Sequence, residues 1–486
     1  MNVDATVAER PVATKLAITA SLVDFVVRTR FCDIPLGAVE RAKLSFFDAV
    51  GVAIGGSLEP GPQILARFVK QAGGTAAASV MGQGFKTTAQ YAAWVNGTAA
   101  DVNGWADFSV THMNHPTASI CPATLALGEA RHARGEDVLL AYILGVEISN
   151  KIAAGVKPGF HIKGWHALGV CNTFGAAAAA GKLLALDREQ LANAFGIAGA
   201  EASGIKASMV TMTKSYVAGA SARDGIGAAV LAQMGFTGPR DVIEARDGFL
   251  QTFGDGVDGR RMLDHLGDPF EFVAPGLTLK SYPSCTHTHT GIHAALELKR
   301  HENIQLDDIE SIECAVTPVM NDFLQWHDPR NTAEAKFSME FCVASALVED
   351  KLDMGNFTEE KLSSADVRPL MRRVKMNVSP ELARLGYNPE AAPSGCILTI
   401  RLKNGVEHVR RQYKGPWEPE TPPDFDALSA KFESCAGAVL AHDRVERTIA
   451  LLRNLEKLDD VSRLMDLLRS DVNSCGETHG HRPATV

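Results

Sequence analysis

Hydrophobic residues recur with helical spacing through the first part of the chain, from about residue 14 to residue 270. The segment 174–186 is the clearest case, because it is rich in alanine, which has the highest helix propensity and a small side chain. Helical spacing returns after Pro423, over residues 428–440 and 443–468. Both ends of the chain are therefore predicted to be helical.

The pattern between these two helical parts is mixed. Beyond Pro275, β-branched residues begin to alternate with polar ones, and residues 309–316 are predicted to form a strand. Helical spacing appears over residues 292–300 and 337–348, between the predicted strands. Alternating helices and strands in one region indicate an α+β unit.

A β-hairpin is predicted near the end of this mixed region. Residues 396–402 and 406–411 read as two strands, and Lys403, Asn404 and Gly405 connect them. The Asn-Gly pair favours a type I′ turn, because both residues tolerate the positive φ that this turn requires.

Together these patterns predict a mainly α fold with two domains. A large all-helical domain is formed by both chain ends, residues 1–273 plus 412–486, and a smaller α+β domain, residues 274–411, is inserted into it. A length of 486 residues is sufficient for two or three domains. The last dozen residues are predicted to be disordered.

Composition and charge exclude several classes of partner and compartment. The net charge of −9 gives no support to a nucleic-acid or anionic-membrane partner, so an anion would need a local pocket. The nine cysteines are dispersed and form no C-x-x-C pair, which is typical of reduced thiols and not of a disulfide frame or zinc site. The sequence shows neither a signal peptide nor an apolar run of ~18 residues. We therefore expect a cytoplasmic protein with no membrane partner.

The densest group of chemically active side chains is the run Lys280-Ser-Tyr-Pro-Ser-Cys-Thr-His-Thr-His289, at the predicted domain junction. Pro283 disfavours a helix here, so these side chains are expected to project from a loop. A lone lysine or histidine is usually solvated, but several such groups around one proline favour a binding or catalytic site. His289 and His293 have a spacing that can share a metal, but no acidic or cysteine cluster accompanies them, so no metal is expected.

Three further polar motifs lie in the helical part. His115, in Asn-His-Pro, precedes the predicted helix 118–128, whose free N–H groups suit a carboxylate ligand; the structural alternative is that it caps its loop. His166, in Gly-Trp-His, also precedes a helix, which favours a neutral imidazole that can act as a base. Lys214, in Thr-Met-Thr-Lys, precedes a predicted helix over residues 218–234. It could exchange protons near neutrality beside a second cation such as Lys280, or could simply be solvated.

Motifs of other enzyme classes are missing from the sequence. No G-x-G-x-x-G follows a strand, and there is neither a Walker lysine loop nor a G-x-S-x-G elbow. A cysteine nucleophile at Cys285 beside His287 is a weaker alternative, because no oxyanion loop accompanies it.

In their order along the chain, these motifs resemble the MmgE/PrpD family, over roughly residues 15 to 470. That family includes 2-methylcitrate dehydratases, cis-aconitate decarboxylases and an iminodisuccinate epimerase. The matching stretches are Asn96-Gly97-Thr98-Ala99-Ala100, His115-Pro116, Gly164-Trp165-His166, Thr211-Met-Thr-Lys214, Gly235-Phe-Thr-Gly238, Lys280-x-Tyr-Pro-Ser-Cys285 with Thr288-His289, and Ala335-Lys-Phe-Ser338.

The resemblance implies a homodimer in which the inserted α+β domain serves as a lid over a cleft, with a small carboxylic acid as substrate and no metal or organic cofactor. It also implies catalytic or binding roles for four residues. Our hypothesis is that His115 and Lys280 hold carboxylates, while His166 and Lys214 move protons. Substrate-binding roles are expected for Asp107, Ser208, Tyr282, Ser284 and His289.

Departures from the family pattern leave the reaction open. The usual acidic run His-x-x-Asp-Phe-Asp-Asp reads Asp-Val-Asn-Gly104-Trp-Ala106-Asp107 here, so only Asp107 keeps a carboxylate at a usual acidic position. A histidine that commonly follows the Thr-Lys motif is Val217, and the usual aspartate of the last motif is His293.

The family reactions share one step, the formation of a carbanion-like centre beside a carboxylate, which cationic groups stabilise. Departure of a β-hydroxyl would make the protein a dehydratase of the 2-methylcitrate type, which we expect first. Protonation on the opposite face would make it an epimerase of a substituted succinate, and loss of CO2 from an unsaturated acid would make it a cis-aconitate-type decarboxylase. A binding protein that has lost turnover is a further alternative.

Overall fold

The computed structural model describes residues 17–157, 159–254, 258–384 and 394–470. In these ranges the chain forms 21 α-helices and six short strands, so the predicted mainly α fold is confirmed. Within the same ranges, no helix is both long enough and apolar enough to cross a membrane. The predicted disorder of the last dozen residues lies outside the described residues.

The first group of helices lies before residue 275: α1 (Ile18–Arg28), α2 (Leu36–Gly56), α3 (Pro60–Ala72), α4 (Ala89–Val102), α5 (Thr117–Ala130), α6 (Gly135–Ala154), α7 (Gly159–Ile162), α8 (Ala167–Leu183), α9 (Arg188–Glu201), α10 (Met212–Gln233) and α11 (Phe249–Phe253). The second group follows it: α12 (His289–Glu302), α13 (Pro318–Phe323), α14 (Thr332–Ala335), α15 (Met339–Glu349), α16 (Glu359–Leu362), α17 (Val367–Met371), α18 (Pro380–Ala383), α19 (Phe425–Ala436), α20 (His442–Arg453) and α21 (Ser462–Leu467). The strands are β1 (Ala78–Ser79), β2 (Lys86–Thr87), β3 (Ile309–Val316), β4 (Val374–Val378), β5 (Cys396–Leu402) and β6 (Glu407–Gln412).

A four-stranded sheet in the order β4-β3-β5-β6 forms the β part of the mixed region. The predicted strand 309–316 is confirmed as β3, which pairs parallel with β4 and antiparallel with β5. The parallel strand β4 was not predicted. It is a short edge strand whose residues after Val374 are mostly exposed, so its sequence carries little of the alternation that marks a half-buried strand.

The predicted hairpin is confirmed as β5 and β6, but its predicted type I′ turn is wrong. The N–H of Gly405 donates to the carbonyl of Leu402 (2.8 Å), with Lys403 and Asn404 at the centre of the turn. In this described loop only Gly405 has a positive φ, of 86°. A three-residue hairpin loop needs one left-handed residue at its end, whereas a type I′ turn needs two at its centre.

Two helix boundaries also differ from the predicted ones. The helix expected to begin at residue 218 begins at Met212, because the hydroxyl of Thr211 caps it by accepting a hydrogen bond from the N–H of Thr213 (3.2 Å). Lys214 therefore lies in the first turn of α10. The single helix expected over residues 443–468 is interrupted between α20 and α21.

Two hydrophobic clusters fill the interior. The larger draws residues from Ile18 to Leu279 and again from Leu428 to Leu468, so both chain ends contribute to it. The smaller draws on residues between Ile292 and Ile400. The domain boundaries themselves stay a prediction.

Helices α4 and α10 approach closely where glycines face each other. A Cβ atom on Gly97 would lie 2.9 Å from the Cα atom of Gly219, and one on Gly219 would lie 2.0 Å from the carbonyl oxygen of Trp94. Both helices carry polar residues of the cavity described below, so this contact sets the distance between them.

Replacing Gly219 with alanine is expected to destabilise the protein by about 1–3 kcal/mol, because the added methyl group has no room between the helices. Urea unfolding followed by circular dichroism measures this loss. Gly227→Ala is the matched control, since it lies in the same helix and a Cβ there meets nothing within 4 Å. Equal stability of the two variants would contradict the close approach.

Candidate active site

The four residues expected to share a site do line one cavity, of about 260 Å³: His115, His166, Lys214 and Lys280. Ser284 also lies in its lining, as expected. The four come from separate loops and helix ends, so the convergence depends on contacts between those segments. The roles assigned to them stay predictions.

Short backbone bridges bring the loops together. Phe108 and Thr278 exchange two backbone hydrogen bonds of 2.9 Å, which join the His115 loop to the segment leading to Lys280. In the third motif, the N–H of His166 donates to the carbonyl of Gly204 (3.1 Å). These pairings hold the motifs in register although they are far apart in sequence.

Lys280 is buried and held by backbone carbonyls. Its ammonium group donates to the carbonyl oxygens of Gly104 (2.9 Å) and Ser284 (3.3 Å). Burial lowers the pKa of Lys280 to about 8, and the positive charge of Lys214 acts in the same direction. A cation with this pKa is charged at neutral pH and can be neutralised by moderately alkaline solution.

Lys431 of α19 holds the backbone on which Lys280 lies. Its buried ammonium group lies 2.7 Å from a carboxylate oxygen of Asp48 in α2. It also donates to the carbonyl oxygens of Trp105 (3.1 Å) and Lys280 (2.9 Å). One side chain of the C-terminal helices therefore holds the backbone of two segments that border the cavity.

Lys214 is paired with a carboxylate that sequence reasoning missed. Both side-chain oxygens of Asp101 lie 2.7 Å from the Lys214 ammonium group, and the Asp101 side chain is only 1% exposed. Asp101 lies in the last turn of α4 and Lys214 in the first turn of α10. Each charge alone opposes the dipole of its own helix end, so the pair offsets both effects. Asp101 thus gives the cavity a carboxylate, although Gly104 and Ala106 replace the acidic residues that are usual in this motif.

The two histidines are neutral at pH 7. Nδ1 of His115 donates to the carbonyl of Asp107 (2.7 Å), which leaves the lone pair on Nε2. Burial, followed by the charges of Lys280 and Lys214, lowers the pKa of His115 well below its usual value. Burial and Lys214 lower the pKa of His166 to about 3. His166 directly precedes α8, as the sequence predicted.

Four expected substrate-binding residues, Asp107, Ser208, Tyr282 and His289, lie outside the lining of this cavity, and their binding roles stay predictions. The Asp107 carboxylate points into the core, where it accepts a hydrogen bond from Thr117 and burial raises its pKa to about 7. The hydroxyl of Ser208 donates to a carbonyl of its own turn (2.7 Å). The rings of Tyr282 and His289 pack edge to face, 5.2 Å between centroids.

Six further polar or charged residues line the cavity. Glu59, His161 and Lys206 belong to no predicted motif. Cys285, His287 and Lys336 lie in motifs named above but have no role in the preferred hypothesis. Burial lowers the pKa of Lys336 to about 8 and raises that of the Cys285 thiol. Nδ1 of His287 lies 2.9 Å from the hydroxyl of Ser394. In the weaker alternative, with Cys285 as nucleophile, only the other ring nitrogen of His287 is left to act as its base. Among the described residues, no group of three or more His, Cys, Asp or Glu side chains could hold a metal ion.

The fall of activity on the alkaline side of the pH profile (its alkaline limb) is expected to follow the deprotonation of Lys280. If its ammonium group holds a carboxylate, kcat/KM falls as pH rises through about 8, because the lysine loses its charge. Lys280→Arg keeps the charge and should move this limb to higher pH. Lys336 has a pKa of similar value, so Lys336→Arg is the control. A limb that moves only in the Lys336 variant would contradict the assignment.

Comparison with known proteins places this arrangement in context. The model of the MmgE/PrpD N-terminal domain matches residues 20–261, and that of the MmgE/PrpD C-terminal domain matches residues 282–457. A cis-aconitate decarboxylase of Mus musculus is 28% identical over 455 residues, which cover 89% of each chain. The human cis-aconitate decarboxylase is 27% identical over 451 residues, covering 89% of this chain and 90% of the relative. That of Aspergillus terreus is 25% identical over 492 residues, covering 95% and 97%.

Proposed function

Because this chain belongs to the MmgE/PrpD family, we propose that it is a lyase that moves a proton at a carbon atom next to a carboxylate of a small di- or tricarboxylic acid. The observation that carries the proposal is the pairing, in one cavity, of neutral imidazoles with ammonium groups. A carbon acid needs a neutral base to take its proton and cations to stabilise the resulting charge.

Charge stabilisation is the work of the lysines. Removing a proton beside a carboxylate builds a second negative charge on its oxygens. An ammonium group aimed at those oxygens in a largely buried cavity contributes on the order of 3 kcal/mol to the transition state. Lys280, whose position is fixed by two backbone carbonyls, holds this carboxylate. His115 has a lone pair on Nε2 when neutral, so it joins Lys280 by taking up a proton there as the acid binds.

Proton transfer is the work of His166 and Lys214. The neutral imidazole of His166 takes the proton from the α-carbon. The ammonium group of Lys214, oriented by Asp101, gives a proton to the departing β-hydroxyl, which leaves as water while the carbon–carbon double bond forms. Two groups in opposite protonation states are what an elimination of water requires, so dehydration of a 2-methylcitrate-like hydroxy acid is the first assignment.

The relatives support a second candidate. Those named above are cis-aconitate decarboxylases, which suggests loss of CO2 from an unsaturated acid. In that reaction Lys214 would protonate carbon and no hydroxyl would depart. Epimerisation of a substituted succinate remains the isomerase alternative, because the same base and acid can exchange one proton between two faces.

A substrate panel separates these candidates. Citrate-like, succinate-like and aconitate-like acids are incubated with the protein, and alkene absorbance, CO2 release and deuterium uptake from D2O are measured. Dehydration predicts new absorbance without CO2, and decarboxylation predicts CO2. Epimerisation predicts deuterium uptake without either signal. Tight binding of acids with no turnover of any would contradict the enzyme proposal.

The homodimer and the independence from cofactors also belong to this proposal. Light scattering should give twice the chain mass of 52.0 kDa. Activity should survive dialysis against a chelator. A monomeric mass, or activity restored only by an added metal, would contradict these two parts separately.

A further inference from the structure

One end of the cavity carries a cation and an imidazole that the mechanism above does not use. Lys206 and His161 both line the cavity. The Lys206 ammonium lies 5.0 Å from the centroid of the Phe323 ring, and among the described residues no carboxylate pairs with it. Nε2 of His161 is buried and has no hydrogen-bond partner within the same ranges. A buried polar atom without a partner is costly, so this nitrogen favours a ligand.

The charge of Lys206 acts on the histidines nearest to it. It adds to burial in lowering the pKa of both His161 and His166. Lys280 has the corresponding effect on His115 and His287. The two lysines therefore act on different histidines of the cavity.

Lys206 is fixed by the backbone that carries the base. Its N–H donates to the carbonyl of Gly164 (2.8 Å), two residues before His166. Its ammonium group rests on the face of Phe323, a cation–π contact with a ring that also lines the cavity. The ring of His287 packs against Phe323 in turn, with 5.0 Å between the ring centroids. Lys206 is therefore held in place within the cavity lining and is not a free surface lysine.

We propose that Lys206 and His161 form a second anion subsite, which binds a carboxylate other than the one held by Lys280. The ammonium group neutralises this carboxylate, and the imidazole takes up a proton as the carboxylate binds, so that Nε2 donates a hydrogen bond to it. The subsite selects tricarboxylic over dicarboxylic acids. It rests on the proposed function, because it takes the reacting carbon to lie near His166 and Lys214.

Binding of two unreactive acids tests the subsite without turnover. The probes are propane-1,2,3-tricarboxylate and 2-methylbutanedioate, in which a methyl group replaces one carboxymethyl group. In Lys206→Met, calorimetric affinity for the tricarboxylate should fall by about 10- to 100-fold, the value of one charge-assisted hydrogen bond. Affinity for the dicarboxylate should fall by less than about 3-fold, because the ammonium groups of Lys214 and Lys280 still bind its two carboxylates. Lys206→Arg should retain most of the tricarboxylate affinity.

The matched control is Lys70→Met, since the Lys70 ammonium also lies over a phenylalanine ring, Phe85, at 5.6 Å, but outside the cavity lining. It should change neither affinity. Equal losses for both acids in Lys206→Met, or no loss for either, would overturn the subsite while leaving the proposed function standing. Failure of the unsubstituted protein to bind either acid would overturn the carboxylic-acid function and the subsite with it.

Discussion

Lys214→Met is expected to lower kcat by at least ~10³-fold, because the substitution removes the proton donor and a central cation of the cavity together. It also leaves Asp101 as a buried carboxylate without its partner, which costs up to about 3–5 kcal/mol of stability. Lost turnover in this variant alone would therefore be ambiguous.

The double variant Asp101→Asn/Lys214→Met separates the two effects. It removes the unpaired charge, so its melting temperature should recover towards that of the unsubstituted protein while kcat stays low. Asp101→Asn alone should lower kcat less than Lys214→Met and move the pH profile, because Lys214 then lacks its carboxylate. Normal turnover in the double variant would contradict the role of Lys214.

His166→Gln is expected to lower kcat by about 10²- to 10⁴-fold, the usual contribution of a general base. If His166 removes the α-proton, exchange of that proton with D2O should be lost to the same extent as turnover. Mass spectrometry of recovered substrate measures the exchange. His166 caps α8 without a side-chain hydrogen bond, so the fold should not depend on its ring.

His115→Gln provides the contrast for that experiment. His115 is assigned to a carboxylate, so its replacement should raise KM more than it lowers kcat. Exchange that persists in His166→Gln but disappears in His115→Gln would mean that the two roles are reversed.

The sequence predicted what depends on local spacing. Helical periodicity marked α8, α12 and α15, and alternation marked β3. The position of His166 before α8 followed from the same pattern. The helical start at Met212 did not, because an N-cap threonine within a polar run gives no hydrophobic signal.

Contacts between distant segments could not be predicted in this way. Asp101 and Lys214 are 113 residues apart, and their meeting depends on how closely α4 and α10 pack. Asp107 is a second case: it matches an acidic family position, and its carboxylate accepts a hydrogen bond from Thr117 in the core. Spacing along a chain does not indicate to which side of a loop a single side chain points.

The buried contact of Lys431 has a consequence for how the protein is made. The carbonyl of Lys280 and the Trp105 loop receive hydrogen bonds from a residue that is synthesised some three hundred residues after the loop. A nascent chain lacks these hydrogen bonds to Trp105 and Lys280 until α19 has emerged. Translation products that stop short of α19 would therefore carry every histidine and lysine assigned above and still lack a finished cavity.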